Sequence, residues 1–352
     1  MFRIGQEEVN EIAKVIASKQ LFKTNTGDLQ ETYNFEKEAC EKLGVDYTIL
    51  MTSGHAALTS ALVAMGIGPG DQVIIPAYTY IATAIAVVAA GAIPVIAEID
   101  ESLTMDPDDF EKKITKYTKA VIPVHIQGFP SNMDRICEIA KKNNLFVLED
   151  ACQADGASYK GKRLGTIGNA GAYSFNYFKV ISAGEGGALL TNDKDIFERA
   201  LIYHDSSAVA FFGNQLDGFT NDTFCGQEFR TNEITAAIMR EQLKKLDVII
   251  GDLRKNKKYM MDNLKGCCSF IKSNDIEGDL GTTVAILFDT EEAAEKFATY
   301  EGVNGPIPGK TKKHIYADWA PIMNKRGAYN PLMDPFHDTD VQGGNRRGNQ
   351  KD

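Results

Sequence analysis

Lys179 is the residue of this 352-residue chain whose surroundings most strongly suggest covalent chemistry. It lies in the stretch SFNYFKVISAGEGG, in which most of its neighbours are apolar or small. A lysine in such surroundings is readily desolvated, and desolvation favours the neutral amine that forms a Schiff base with a carbonyl group. The glycines of this stretch would let another group approach the backbone closely. A lysine in an exposed surface loop is the alternative explanation.

An acidic pair, Glu149 and Asp150, follows the apolar run Leu145–Leu148. Carboxylates at the end of a buried strand are costly unless a partner satisfies them. The protonated ring nitrogen of a cofactor would be such a partner, and an aspartate has this role in pyridoxal-phosphate (PLP) enzymes. Alternatively, Asp150 caps the N-terminus of a helix.

Two other strand ends carry candidate cofactor-binding residues. After Tyr47–Met51 the chain reads TSGHA, and small residues at a helix N-terminus expose backbone N–H groups to an anion such as phosphate. Ser53 or Thr52 could instead be an ordinary helix cap. Tyr80 follows Gln72–Ile75 and could stack on a flat ring or pack in the core. Phosphate site, aromatic ring, aspartate and lysine, in this order along the chain, are what PLP requires.

These residues can meet only if the strands that precede them lie in one sheet. Apolar, β-branched runs alternate with segments of helical periodicity, which predicts an α/β fold whose mostly parallel sheet is covered by helices on both faces. Ligands bind at the carboxyl ends of the strands in such sheets. The seven predicted strands are Tyr47–Met51, Gln72–Ile75, Ile93–Ile96, Ala120–Val124, Leu145–Leu148, Gly171–Phe175 and Gly187–Thr191.

The helical periodicity also indicates how the chain divides into domains. One long helix, or two helices, is predicted from Thr231 to about Met261. We predict a large domain at residues 1–245, a smaller C-terminal α+β domain at 246–340 and a disordered tail at 341–352. The other predicted helices are Glu7–Ser18, Glu31–Leu43, Ala56–Met65, Ala82–Ala90, Pro107–Ile114 and Met133–Lys142.

Composition and charge exclude several classes of protein. With 43% hydrophobic and 24% charged residues, the chain is typical of globular proteins. A net charge of -10 argues against nucleic-acid binding. No signal-peptide pattern occurs, nor any apolar run near the ~20 residues that span a bilayer, so we expect a soluble, cytoplasmic protein that does not bind membranes. The six cysteines include no CxxC, which predicts reduced thiols and no metal site.

Taken together, the motifs resemble the DegT/StrS family of sugar aminotransferases, which are PLP enzymes of fold type I. The strongest match is Ser174-Phe175 followed by Lys179 and by GEGG at residues 184–187, which is similar to the Schiff-base segment of the family. The resemblance runs from about Ile4 to Asp247 and continues more weakly to about Phe336. Other matching stretches are PAYTYIATAIAVVAAGAIPV, PVHIQGFPSNMD, EDACQADGASYKGKRLGTIG and FRTNEITAAIMREQLKKLD.

The resemblance implies a role for individual residues. Lys179 would bind the cofactor as a Schiff base, and Asp150 would pair with its ring nitrogen. Gln153 would lie near the phenolic oxygen of the ring, and Tyr80 would stack on the ring. The residues expected to hold the phosphate are Ser53, Gly54, His55 and Ser174.

The resemblance also implies a homodimer with shared active sites, because the family segment that matches Glu228 and Arg230 reaches across the subunit interface. Substrate would be met by local positive charge. Two basic clusters, one containing Lys310 and His314 and the other Lys325-Arg326, could bind a nucleotide diphosphate or a sugar-acid carboxylate. Solvated surface charge is the alternative explanation for both clusters.

The chain departs from the family pattern at three places. His55 replaces a threonine of the phosphate motif, and its imidazole could donate a hydrogen bond to phosphate with a different geometry. Glu228 stands where the family has asparagine, and since a carboxylate beside a phosphate would repel it, we expect Glu228 to point elsewhere. After Phe336 the chain is polar where the family has another helix and strand, so we expect a shortened or differently completed small domain.

The function predicted from the resemblance is amino transfer from glutamate or glutamine to a keto or aldehyde sugar, either nucleotide-linked or a keto sugar acid. The stretch HIYADWAPIMNKRGAYNPLMDPF resembles the octulosonate aminotransferases of the family. One alternative is a sugar dehydratase, but those relatives have histidine where Lys179 stands. Another is a catalytically inactive regulatory protein on the same fold, which His55, Glu228 and the polar ending would support. A dinucleotide-binding oxidoreductase is excluded because no GxGxxG follows a first strand.

Overall fold

The computed structural model describes residues 3–24, 27–208, 218–303 and 305–337. The helices are α1 Gln6–Ser18, α2 Glu31–Leu43, α3 Gly54–Ala64, α4 Ala82–Ala89, α5 Pro107–Lys113, α6 Met133–Lys142, α7 Lys194–His204, α8 Glu233–Leu264, α9 Glu291–Ala298 and α10 Ala320–Met323. The strands are β1 Tyr47–Met51, β2 Gln72–Pro76, β3 Ile93–Ala97, β4 Thr118–Val121, β5 Phe146–Asp150, β6 Ser158–Tyr159, β7 Lys162–Arg163, β8 Ala170–Ser174, β9 Gly187–Thr191, β10 Ser269–Phe270 and β11 Ile286–Leu287.

Seven strands form one central sheet in the order β1-β9-β8-β5-β4-β2-β3. Strand β9 is antiparallel to both of its neighbours, and the four other pairings are parallel. The predicted seven-stranded, mostly parallel sheet is therefore confirmed. Because β5 and β8 are adjacent and parallel, Asp150 and Ser174 end their strands at the same edge of the sheet.

Helices cover both faces of this sheet, as the near-continuous apolar strands require. On one face α3, α4 and α7 bury side chains such as Leu58, Val87 and Ile202. On the other face α2, α6 and α8 contribute to a second cluster, which contains Phe35 and Leu243. The parallel strands are thus buried on both sides, and the strand ends are where polar side chains can reach a ligand.

Several predicted element boundaries were wrong by a few residues, and one difference changes an interpretation. Strand β5 continues through Asp150, and no helix follows it, so Asp150 is not a helix cap. Strand β4 ends at Val121 instead of Val124. The segment predicted as one or two helices is a single helix, α8, which contains no proline and continues to Leu264.

The chain after α8 packs back onto the large sheet domain. Trp319 and Phe336 are buried in the same core cluster as α3 and α4, and Ile315 forms an antiparallel bridge with Tyr78 at the end of β2. The predicted domain boundary at residue 245 falls inside α8, and the division into 1–245 and 246–340 stays a prediction. The predicted disordered tail, 341–352, lies outside the described residues. Within the described ranges, no helix has the length and apolarity needed to cross a membrane.

Two glycines allow a matched test of the sheet packing. A methyl group at Gly171 in β8 would lie 2.1 Å from the carbonyl oxygen of Gly165, whereas one at Gly251 in α8 would meet nothing within 4 Å. We expect Gly171→Ala to lower the free energy of unfolding by about 2 kcal/mol or more through overpacking. Gly251→Ala should raise it by about 0.5–1 kcal/mol, because alanine favours a helix interior. Denaturant unfolding measures both, and equal stabilities would contradict this packing.

Candidate active site

A cavity of about 590 Å³ opens at the carboxyl ends of β1, β5 and β8. The structure brings together nine of the twelve site residues predicted from the sequence, although they come from five separate parts of the chain. Those that line the cavity are Ser53, Gly54, His55, Tyr80, Asp150, Gln153, Ser174, Lys179 and His314. The strand order thus brings residues at the ends of several strands together in one cavity, as expected for an α/β sheet.

The N-terminus of α3 forms one wall of the cavity. Ser53 is the helix cap and its hydroxyl accepts a hydrogen bond from Ala56 N at 3.0 Å, so this residue both caps the helix and lines the cavity. A side chain at Gly54 would meet Cys152 Sγ at 2.6 Å and Ser174 Cβ at 3.0 Å. The first turn of α3 therefore packs directly against β8, and its amide end makes a suitable anion site.

The His55 side chain has different hydrogen-bonding properties from the threonine expected at this position of the family motif. Its Nδ1 lies 3.4 Å from the carbonyl oxygen of Ala82. Burial lowers the pKa of its imidazole from 6.5, so the neutral ring prevails at pH 7. When Nδ1 donates to that carbonyl, Nε2 carries no proton and cannot donate to a phosphate. This geometry indicates that the backbone N–H of His55, and not its side chain, is the group suited to bind a phosphate.

Asp150 ends the central strand β5 and is only 6% exposed. Its Oδ2 accepts a hydrogen bond from Thr83 Oγ1 at 2.7 Å, and its Oδ1 accepts one from Cys152 N at 3.2 Å. It forms no salt bridge with any residue in the described ranges. A buried carboxylate without a cation is costly, and this cost would be offset by a protonated pyridine nitrogen. The site therefore fits the ring of PLP.

Lys179 is half-buried on the loop between β8 and β9 and lines the cavity. Its backbone N–H donates to the carbonyl of Asn176 at 2.9 Å, which fixes the turn before it. Within the described ranges its ammonium group makes no hydrogen bond or salt bridge, so nothing there holds it away from a ligand. The surface-loop alternative is thereby disfavoured, because the loop faces the cavity.

Gln153 and Tyr80 occupy two other sides of the cavity. The amide oxygen of Gln153 accepts a hydrogen bond from Gln127 N at 2.9 Å. The Tyr80 ring is 47% exposed and lies 5.9 Å from the His314 ring, at an interplanar angle of 55°. His314 reaches this position because its carbonyl accepts a hydrogen bond from Thr79 N at 2.9 Å.

Three predicted site residues do not line the cavity of this chain. The Arg230 guanidinium pairs with Asp205 and, at 2.6 Å, with Glu228. Glu228 thus points toward a cation, and its expected orientation away from phosphate stays a prediction. Lys310 pairs with Glu291 at 2.9 Å and with Glu295, whereas the neighbouring Lys313 lines the cavity. Whether Glu228, Arg230 and Lys310 act in the site stays a prediction.

Several residues that line the cavity were not predicted from the sequence, among them Gln127, Thr83 and Asp155. Asp155 is 1% exposed, and its Oδ1 accepts a hydrogen bond from Ser174 N at 3.3 Å. Burial raises the pKa of its carboxyl to about 8, although the nearby Lys179 charge acts in the opposite direction. The stretch EDACQADG offered a signal, since it places a third acid five residues after Asp150.

The fold and the cavity together define the class of protein. A seven-stranded, mostly parallel sheet with an available lysine, an uncompensated aspartate and a helix N-terminus at one edge is the arrangement of PLP enzymes of fold type I. The chain belongs to the DegT/DnrJ/EryC1/StrS aminotransferase family, whose model matches residues 3–298. This family is PLP-dependent.

Over the aligned residues, this chain is more than a third identical to two curated relatives. It is 36% identical over 267 residues to GDP-perosamine synthase from Escherichia coli O157:H7, covering 76% of this chain and 72% of the relative. It is 41% identical over 216 residues to GDP-perosamine synthase from Caulobacter vibrioides, covering 60% of this chain and 56% of that protein. The chain thus spans between about half and three quarters of the length of these relatives.

Solved structures have the same fold. The structure of S. venezuelae DesV in complex with a ketimine intermediate superposes with a TM-score of 0.71 at 32% identity, covering 83% of this chain and 76% of DesV. The E coli GDP-4-keto-6-deoxy-D-mannose-3-dehydratase with bound hydrated PLP has a TM-score of 0.75 at 24% identity, covering 85% of this chain and 80% of the dehydratase. The second likeness supports the fold alone.

The buried carboxyl of Asp155 predicts a specific pH dependence of stability. Its pKa of about 8 in the folded protein exceeds the ordinary aspartate value of 3.8, so between these values the folded state keeps a proton that the unfolded chain loses. Stability is therefore lost as pH rises through this window. We expect the cofactor-free Asp155→Asn variant to melt at about the wild-type temperature near pH 4 and several degrees higher near pH 8. Thermal unfolding measures this, with exposed Asp289→Asn as control, and parallel wild-type and Asp155→Asn profiles would contradict it.

Proposed function

We propose that this protein is a PLP-dependent aminotransferase that moves an amino group from glutamate or glutamine to a keto or aldehyde sugar. The observation that carries the proposal is the meeting of three groups in one cavity. They are the Lys179 ammonium group, the uncompensated carboxylate of Asp150 and the N-terminus of α3. Family membership and the names of the relatives support the same activity.

Each of these groups would have a distinct task. When bound, PLP supplies an electron sink for negative charge that develops at the α-carbon of the amino donor. Asp150 would keep the ring nitrogen protonated, and Thr83 would orient that carboxylate through its 2.7 Å hydrogen bond. The first turn of α3, with Ser174 beside it, would bind the phosphate. Lys179 would attach the cofactor covalently and, once released, act as general base for the proton of the donor α-carbon.

The acceptor would bind on the side of the cavity that the C-terminal part of the chain forms. Lys313 and His314 line this side together with Thr282 and Thr283. One cation with several hydrogen-bond donors suits an anionic acceptor. A nucleotide-linked keto sugar agrees with the GDP-perosamine synthase relatives, and a keto sugar acid, such as an octulosonate, agrees with the motif around His314.

A homodimer with shared active sites remains part of the proposal. Phe178, directly before the active lysine, is 86% exposed, and Tyr177 is 57% exposed. Large apolar side chains at the mouth of a cavity favour coverage by another protein surface. Glu228 and Arg230, whose ion pair lies outside the cavity of their own chain, would then be available to the site of the partner.

Two alternative functions are less well supported. A sugar dehydratase shares the fold, but Lys179 stands where those relatives have histidine. A cofactor site with missing groups would favour a catalytically inactive regulatory protein. Here Asp150, Lys179 and the α3 N-terminus all face one cavity, which argues against this alternative. Absence of amino transfer from a protein that binds PLP would support the second alternative.

Replacing the active lysine tests the proposal directly. We expect added PLP to give the wild-type protein a visible absorbance band that glutamate shifts to the ultraviolet. Lys179→Ala and Lys179→Arg should both lose this shift and lower amino transfer by about three orders of magnitude or more, since neither provides the amine nucleophile. Lys160→Ala, at an exposed surface site, is the control. Multiple turnovers by either Lys179 variant would refute the role of this residue.

The acceptor side can be tested with three neighbouring lysines. We expect Lys313→Gln to raise KM for an anionic keto sugar about 5- to 10-fold with little change in kcat, because one charged contact is lost. The exposed Lys312 does not line the cavity, so Lys312→Gln is the matched control. Lys310→Gln tests the residue named from the sequence. An effect of Lys310→Gln alone would contradict this assignment and place the acceptor site nearer α9. Steady-state kinetics with nucleotide-linked and acidic keto sugars would measure these effects and identify the preferred class of acceptor.

A further inference from the structure

Gln127 has an unusual backbone conformation beside the cofactor site. It lies in the short turn Ile126–Gly128 with φ 52° and ψ 20°. This is the left-handed backbone region, which residues other than glycine and asparagine seldom adopt. Residues held in this region at the edge of a cavity often have a functional reason to be there. The conformation is maintained by three hydrogen bonds, each to a different part of the chain.

Each of these hydrogen bonds uses a different group of Gln127. Its backbone N–H donates to Gln153 Oε1 at 2.9 Å, and its side-chain Nε2 donates to the Tyr78 hydroxyl at 2.8 Å. Its backbone carbonyl accepts from Thr282 Oγ1 at 2.8 Å. The turn thus joins the ends of β2 and β5 to a segment of the C-terminal region.

The first of these bonds determines which end of the Gln153 amide faces the ligand. A backbone N–H can only donate, so the Gln153 atom that meets it must be the oxygen. The amide nitrogen of Gln153 is then left for the cavity, and it has no partner among the residues that the structure describes. Gln153 consequently presents a hydrogen-bond donor to a bound cofactor.

The C-terminal segment that supports the turn is itself firmly held. Leu280 N donates to the carbonyl of Gly128 at 3.1 Å, and a side chain at Gly128 would meet Leu280 Cβ at 2.5 Å. The preceding Asp279 forms a buried salt bridge of 2.7 Å with Lys257 of α8. The turn therefore has little room to relax if the backbone of Gln127 leaves its left-handed conformation.

We propose that Gln127 is a positioning residue, whose left-handed backbone holds the Gln153 amide so that its nitrogen donates to the phenolic oxygen of PLP. This inference rests on the proposed function, in which PLP is bound through Lys179. It goes beyond that function because it assigns a role to a backbone group, and it links the cofactor site to the segment that contains Thr282.

The absorbance of the bound cofactor reports on this hydrogen bond. With PLP bound through Lys179, the pH dependence of the visible band would reflect a proton shared between the phenolic oxygen and the Lys179 nitrogen. A donor on the oxygen makes it a weaker acceptor for that proton and lowers the apparent pKa of the band. Loss of the Gln153 donor should therefore raise this apparent pKa.

Substitutions at residue 127 separate the backbone from the side chain. Glycine adopts a positive φ without cost, whereas a β-branched residue there is strongly disfavoured. We expect Gln127→Gly to keep the apparent pKa of the band within about 0.3 unit of wild type, and Gln127→Val to raise it by about one unit. Thr282→Val, which removes only the hydroxyl that holds the Gln127 carbonyl, should raise it by about half a unit.

Gln30 provides a matched control, because it is also a glutamine with a positive φ, 45°, and it precedes α2 away from the cavity. Gln30→Val should lower the melting temperature and leave the spectral pKa unchanged. An unchanged pKa in Gln127→Val and Thr282→Val, with the band present, would overturn the inference. A rise in KM in Gln127→Gly without a spectral change in Gln127→Val would likewise overturn it, since the side chain would then contact substrate. Absence of any band from wild-type protein with PLP would instead refute the proposed function.

Discussion

The buried carboxylate of Asp150 is the constraint on which the rest of the site depends. It accepts hydrogen bonds from Thr83 and Cys152 but forms no salt bridge with a cation among the described residues. A carboxylate in this state costs folding free energy, and the cost falls when a protonated ring supplies the missing charge. Binding of PLP would therefore stabilise the fold as well as enable the chemistry, because a ligand that binds only the native state shifts the folding equilibrium.

The adjacent Glu149 is a structural counterpart to Asp150. Successive residues of a strand point to opposite faces of the sheet, so these two acids meet different surroundings. Glu149 is fully buried, and the protein alone satisfies it. Its carboxylate accepts hydrogen bonds from Gly165 N, Ile167 N, Gly168 N and His125 Nε2. Glu149 thereby connects β5 to its surrounding loops, whereas Asp150 can still bind a ligand.

The C-terminal part of the chain completes the side of the cavity on which the acceptor would bind. It reaches the site at two places, where Ile315 pairs with Tyr78 and where Thr282 bonds the carbonyl of Gln127. The family model ends at residue 298, so Lys313 and His314 lie beyond the part of the chain that this model matches. The residues proposed to bind the cofactor therefore lie within the matched part of the chain, whereas Lys313 and His314, which are proposed to face the acceptor, lie outside it.

The sequence by itself determined the seven-stranded sheet, the helix N-terminus proposed to bind phosphate and the candidates Asp150 and Lys179. Periodicity is a local property, and in an α/β sheet the residues after each strand must converge at one edge. Only the tertiary structure decided which neighbours those residues meet. In the structure, Lys310 pairs with Glu291 whereas Lys313 lines the cavity. Gln127 forms hydrogen bonds that connect segments far apart in the chain. Ion pairs and backbone conformations of this kind depend on contacts between residues far apart in the chain, for which spacing along the sequence carries no signal.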